Sequence, residues 1–371
     1  MSEVLMIGGD VGGNVPPALA IADELARRGH RVTLAGVRAR PGDPQPTGVV
    51  EVPLQSFDDV DITRATGTVG QLRALSRLGM SAAVTREVRA LIAEGRPDAV
   101  ILDGIMLRAL KHALRSGVPT VVLFHSLGAF WADGATRGPV DVLMRPFGMR
   151  PATLWGAAAA RILPTDRQLD PAGSRSDVPA FDWVGTTEPG APPASRTPGA
   201  PPLVLVSLSS AWQSGQLEVY RRIVAALGGL PVRAIVTTGG VDLEGELAPL
   251  PNVEVRGRVP HAELLPHVDL VVGHGGHSTT LKTLAHGIPL LVLPMNPASD
   301  QRLIGGVVET AGLGRVLPRT APVERIRDTV RELLADDAVR AAAARTGERL
   351  RAQRGAAVAA DLLEQRVLAG R

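Results

Sequence analysis

Short apolar runs alternate with amphipathic segments along almost the whole chain, and no other feature restricts its fold as much. "VLMIGG" (4–9) precedes "VPPALAIADELARRG" (15–29), in which Leu19, Ala22, Leu25 and Ala26 share one helical face. Gly29 stops that helix, and "HRVTLAG" (30–36) follows as a second strand. The same pattern returns in "PDAVILDG" (97–104), a helix through "IMLRALKHALRSG" (105–117), and "PTVVLFH" (119–125). A βαβ rhythm of this kind makes a parallel sheet with helices on both faces. It breaks at 186–202, "TTEPGAPPASRTPGAPP", where the prolines allow neither a helix interior nor a central strand. It restarts with "LVLVSLS" (203–209), "RAIVTTGG" (233–240), "DLVVGHGG" (269–276) and "IPLLVLPM" (288–295).

The expectation is an α/β protein of two Rossmann-like domains facing each other across a cleft. The first covers 1–190, a Pro-rich linker 191–202, and the second 203–352. One Ala-, Arg- and Glu-rich helical pattern occupies roughly 322–352 and merges into "AAVAADLLEQRVLAG". The last stretch, 353–371, is a helix for which packing back on the first domain is one option; periodicity does not decide it.

Composition removes several function classes. The chain has 371 residues, 45% of them hydrophobic, and a formal net charge of only +3, with arginines dispersed beside acidic residues. That is unlike a nucleic-acid-binding surface. The absence of cysteine excludes disulfides, zinc thiolates and cysteine nucleophiles. "MSEVLMIGG" has neither a basic region nor a cleavage site and reads as a first strand. No apolar run reaches the roughly 20 residues of a membrane span. A soluble cytoplasmic protein is expected; a homodimer is compatible with the sequence, which carries almost no signal for oligomeric state.

"VVGHGGHSTT" (271–280) is the most informative stretch. Ligands of open α/β sheets sit beyond the carboxyl ends of the strands. Gly275 and Gly276 allow close backbone approach, and Ser278, Thr279 and Thr280 fall in a first helical turn. Its N–H groups and positive dipole end favour phosphate. His274 adds a side-chain donor. The bland alternative is a Gly-rich turn with Ser278 as a plain N-cap. "PMNPASDQ" (294–301) brings Asp300 and Gln301 to the next strand tip, a pair suited to sugar hydroxyls. In "GRVPHAELLPHVDLVV" (257–272), Arg258 is able to stack on a base. "VSLSS" (206–210) ends another strand in hydroxyls.

The ordered set "GRVPHAELLP…DLVVGHGGHSTTLKTLAHGIPLLVLPMNPASDQ" resembles the donor-binding signature of the GT-B glycosyltransferases of family 1, which act on natural products. The resemblance implies the GT-B fold, inversion at the anomeric carbon, a nucleoside-diphosphate sugar as donor substrate, no metal and no further cofactor. It implies His274 on the α-phosphate and Gly276, Ser278 and Thr279 on the β-phosphate, with Gly275 and His277 in the same loop. Asp300 and Gln301 would bind the sugar, Val259 the base through its backbone, and Ser209 and Ser210 the phosphate side. Two positions depart from the pattern. Ser278 stands where the family usually has glycine, and Lys282 where a ribose-binding glutamate is frequent; on its own, Lys282 reads as a solvated helix residue.

A further departure concerns the base. The family's histidine base, in the loop after the first strand, is replaced in "GGNVPPALA" by Asn14, which takes no proton at neutral pH. Asp103 matches the aspartate that usually pairs with that histidine. Strand ends offer His125 and, in the first loop, Asp10. An imidazole is the side chain best suited to take this proton, which makes His125 the candidate base, with Asp103 as partner and Asn14 positioning the acceptor, against the alternative of a hydrogen-bonded histidine at a strand end. The segment 126–155 concentrates Phe130, Trp131, Met144, Phe147, Met149 and Trp155. As a region it suits an apolar acceptor; individually most read as core.

The reading is transfer of a sugar from a UDP or dTDP carrier to a small hydrophobic natural product such as a polyketide. Two rivals stand beside it: a nucleotide-sugar-binding accessory protein that has lost its base, and a GT-B sugar-nucleotide epimerase. "DVD" (59–61) is a solvated acidic loop more than a metal motif, and "GGDVGGN" lacks dinucleotide spacing.

Overall fold

The computed structural model describes the chain except residues 10–12, 38–45, 58–76, 137, 195–198, 210–212, 244, 249, 298 and 370–371, and it describes no side chain at 135, 136, 139 or 143. Asp10, Ser210 and the "DVD" stretch at 59–61 therefore lie outside the described residues. The chain divides into two compact units. The described residues up to Thr187, together with those from Gln353 onward, form one; Glu188–Ala352 form the other.

The first unit holds a seven-stranded parallel sheet of β1 (Glu3–Ile7), β2 (Arg31–Ala35), β3 (Val49–Val52), β4 (Ala99–Asp103), β5 (Thr120–Leu123), β6 (Ala160–Leu163) and β7 (Asp182–Trp183). Their order is β3-β2-β1-β4-β5-β6-β7. Alternate residues of β1 enter different cores. Val4 and Met6 pack with Leu19, Ile21 and Leu25 of helix Val15–Arg27, while Leu5 and Ile7 pack with Val88 and Ile92 of helix Ala82–Gly95. The first helix ends because Gly29 takes φ +89, which side chains disfavour.

The C-terminal helix Gly355–Leu363 buries Ala359, Ala360 and Leu363 in the core containing Leu19 and Leu25. Arg28 fastens it with bonds to Asp361 (2.6 Å) and Glu364 (2.8 Å). Gly355 tolerates no side chain, because a Cβ there would meet the Thr186 carbonyl.

The second unit holds a six-stranded parallel sheet of β8 (Leu203–Ser207), β9 (Arg233–Thr237), β10 (Val253–Arg256), β11 (Leu270–Gly273), β12 (Leu290–Val292) and β13 (Gly314–Val316), ordered β10-β9-β8-β11-β12-β13. One face packs Val204, Val206 and Val236 against Tyr220, Ile223 and Ile326; the other packs Leu205, Ile235 and Val271 against Leu264, Leu265 and Ile288. The single helical pattern expected over 322–352 is in fact two helices, Val323–Ala335 and Asp337–Arg351. Asp336 leaves helical geometry (ψ 96) and its carboxylate accepts from the N–H groups of Ala338 (3.0 Å) and Val339 (3.1 Å), starting the second helix.

Candidate functional site

Each sheet reverses its strand order once: between β1 and β4 in the first unit, and between β8 and β11 in the second. Ligands of such sheets bind beyond the carboxyl ends at that switch point. Both candidate clusters lie there.

In the first unit, Asn14 precedes helix Val15–Arg27 but its side chain makes no cap bond. Pro16 and Pro17 fill the first turn and carry no N–H, so few amides there require a cap. The Asn14 amide instead donates to the Gly9 carbonyl and to Asp103 Oδ2 (2.7 Å). Asp103, the last residue of β4, is buried and also accepts the Ile105 N–H on Oδ1 (3.0 Å). His125 lies two residues past β5, with Nδ1 at 3.7 Å from Asp103 Oδ1, beyond hydrogen-bond length. That nitrogen is buried and has no hydrogen-bond partner among the described residues.

The next residue, Ser126, is buried at φ +70, a conformation costly for a side chain and common where a site is held under constraint. Trp131 donates its indole N–H to the His125 carbonyl and sets its ring edge-on at 5.1 Å. A cavity of about 10 Å³ is lined by Asn14, Asp103 and His125 together with Gly8.

The suggested acceptor residues separate. Trp131 is in the core with Phe124 and Trp155, and Phe130 and Met144 pack against that core. Phe147 is 59% exposed and lines a different groove.

In the second unit the glycines are explained by the chain's own packing. Gly275 has φ +82, and a Cβ on it would stand 2.8 Å from the Gln301 carbonyl. A Cβ on Gly276 would stand 2.5 Å from His274 Nε2. Gly276, not Ser278, is the N-cap of helix His277–Ala285, and no side chain caps it. The Thr280 N–H closes the first turn on the Gly276 carbonyl (2.9 Å), so the amides of residues 277–279 precede the intrahelical ladder. His274 stands at their edge. Burial pushes its pKa down to about 4, against an upward pull from the Ser207 backbone, so it is neutral at pH 7. Its Nδ1 is buried without a hydrogen-bond partner among the described residues.

Gln301 is buried, and its Oε1 accepts the N–H groups of Met295 (2.7 Å) and Asn296 (2.9 Å), which leaves the Nε2 hydrogens as its donors to a ligand. Asp300 precedes it at the helix start without capping. The Ser209 carbonyl accepts from Gln216 Nε2 (2.8 Å). Arg258 is exposed, and Val259 packs on the Leu205 face of the sheet.

Two features are absent from the sequence expectations. His261 bonds Ser207 Oγ through Nε2 (3.0 Å), and burial, then Lys282, Arg258 and His274, push its pKa down to about 4. Its Pro-bounded loop was legible, but only the fold reveals that it faces the end of β8. Lys282 is not a solvated residue: its Nζ lies 3.4 Å from Glu188 Oε2, whose side chain is 3% exposed. Glu188 lies in the Pro-rich stretch, so nothing in local spacing pairs the two.

Two parallel Rossmann-like sheets, each with a polar cluster at its switch point, are the architecture of the GT-B class. The comparisons agree along the chain. Residues 221–364 match the "Erythromycin biosynthesis protein CIII-like, C-terminal domain", and 12–184 match the "Glycosyl transferase 4-like domain". The demethyllactenocin mycarosyltransferase of Streptomyces fradiae is 30% identical over 95% of this chain and 84% of its own length. The oleandomycin glycosyltransferase of Streptomyces antibioticus is 28% identical over 95% and 88%. The solved glycotransferase of kitacinnamycin, 25% identical, superposes with a TM-score of 0.78 over 99% of both chains. The chain belongs to the antibiotic-type glycosyltransferases of natural-product biosynthesis and is an enzyme of that family. Among the described residues no helix is long and apolar enough to cross a membrane.

Proposed function

We propose that the protein moves a sugar from a UDP or dTDP carrier to a hydroxyl of a small hydrophobic natural product, with inversion and without a metal. The observation that carries this reading is the neutral His274 beside the uncapped N-terminus of helix His277–Ala285. Amides and a positive dipole end bind a diphosphate without a cation, and a neutral imidazole adds one hydrogen bond. Gln301 Nε2 and Asp300 supply donor and acceptor for the sugar. The relatives' antibiotic substrates support the acceptor class.

The acceptor oxygen attacks the anomeric carbon from the face opposite the diphosphate. The carbon–oxygen bond to phosphate breaks, its electron pair leaves with the nucleotide, and one displacement inverts the centre. The hydroxyl proton passes to His125 Nε2. His125 Nδ1 lies 3.7 Å from Asp103 Oδ1, close enough for the carboxylate's charge to stabilise the imidazolium. Asn14, bonded to Asp103, fixes that carboxylate in place of a second titrating group.

Calorimetric titration of UDP and dTDP into wild type and His274→Ala tests the donor site. One nucleotide binds wild type tightly and the variant about 10- to 100-fold more weakly, as for a hydrogen bond to a charged group. No binding of either nucleotide, or equal binding to both proteins, overturns the reading.

A further inference from the structure

A groove of about 370 Å³ in the first unit shares no lining residue with the cavity at His125. Met80, Phe147 and Met149 supply an apolar wall, and Arg108, Lys111, His112 and Arg115 a basic one. The three long cations follow at i, i+3 and i+7 along helix Leu107–Ala113 and the turn after it, so they share a face. Like charges so placed repel. Arg108 donates to the Met80 carbonyl (3.3 Å), and Lys111 to the carbonyls of Phe147 (3.3 Å) and Gly148 (3.0 Å). These bonds hold the cations at the rim and neutralise neither. Among the described residues no carboxylate pairs with any of the three, and none lines the groove.

Cations near a helix C-terminus complement its dipole, which accounts for Lys111 and His112. It does not account for Arg108, in the first turn where a cation is disfavoured, nor for Phe147, which is 59% exposed beside the charges. Burial, then Arg89 and Arg115, hold the His112 pKa below its ordinary value, as expected where the field is already positive.

We propose that this groove is a second binding site, taking a small amphiphile with one anionic group on an apolar body. The volume falls within the range of small-molecule sites, about 300–1,000 Å³. The apolar body lies against Met80, Phe147 and Met149, and the anion lies among Arg108, Lys111 and Arg115. A charge-assisted bond to an arginine is roughly twice as strong as a neutral one and geometrically selective.

The probe is 8-anilinonaphthalene-1-sulfonate, followed by fluorescence on the intact protein, with neutral N-phenyl-1-naphthylamine as control. The sulfonate binds one to one, weakens with salt, and is not displaced by excess UDP or dTDP. Arg115→Glu, at a side chain with no polar contact among the described residues, weakens it by about 10-fold or more. Arg108→Ala gives a second, milder loss. Decanoate and decyl phosphate compete and rank the head group. Equal binding to Arg115→Glu, equal affinity for the neutral probe, displacement by the nucleotides, or failure of both amphiphiles to compete each overturns the proposal.

Discussion

The two polar clusters are built by opposite means. In the second unit, residues 274–279 are contiguous, and backbone geometry does most of the arranging: Gly275 at φ +82, Gly276 under the His274 ring, and a helix start without a side-chain cap. In the first unit, Asn14, Asp103 and His125 come from three separate stretches of chain and meet only because β1, β4 and β5 lie side by side. A site written in backbone tolerates few substitutions at its glycines. A site written in side chains tolerates an exchange of residue types as long as a base remains within reach.

The largest expected effect tests the side-chain cluster. His125→Ala lowers kcat by about 10²–10⁴-fold if the imidazole takes the acceptor proton, leaving nucleotide binding by the second unit unchanged. Activity within a few-fold of wild type removes His125 as the base. Asp10, outside the described residues, is then the next to substitute.

The backbone cluster is broken next. Gly276→Ala places a methyl 2.5 Å from His274 Nε2 and forces the ring aside while the helix N-terminus survives. Nucleotide affinity then falls by about 10-fold, the loss of one hydrogen bond to phosphate, with little change in stability. Unchanged affinity in a folded Gly276→Ala protein shows that the ring position does not matter to the diphosphate. Gly275→Ala contrasts with it, because its backbone strain and its approach to the Gln301 carbonyl lower stability as well.

The same contrast decides how much was legible in the sequence. The parallel sheets and the helix after "GHGG" follow from local periodicity and glycine placement, which act over a few residues. The bond from Asn14 to Asp103 spans 89 positions, and the ion pair from Lys282 to Glu188 joins a helix to a Pro-rich stretch; no local pattern encodes either. The long C-terminal pattern was split by one aspartate, whose capping energy periodicity does not register. Trp131 illustrates the same limit, since an aromatic at helical spacing gives no sign that its indole holds the His125 carbonyl.

The smallest effect is a pH dependence of stability carried by the buried histidines of the second unit. His274 and His261 have folded pKa values of about 4, below the ordinary value of 6.5, so the folded state binds fewer protons than the unfolded one between those limits. Stability from these two groups is therefore fully present above pH 6.5 and declines as pH falls toward 4. A tenfold difference in proton affinity between the folded and unfolded states is worth about 1.4 kcal/mol. His286 in the same unit moves in the same direction, by burial first. Urea midpoints measured at steps from pH 7 to pH 4.5 fall in wild type. His261→Gln, which keeps an amide to meet Ser207 Oγ but cannot protonate, flattens that fall by the His261 share. Parallel slopes for the two proteins mean that His261 is as readily charged in the fold as out of it.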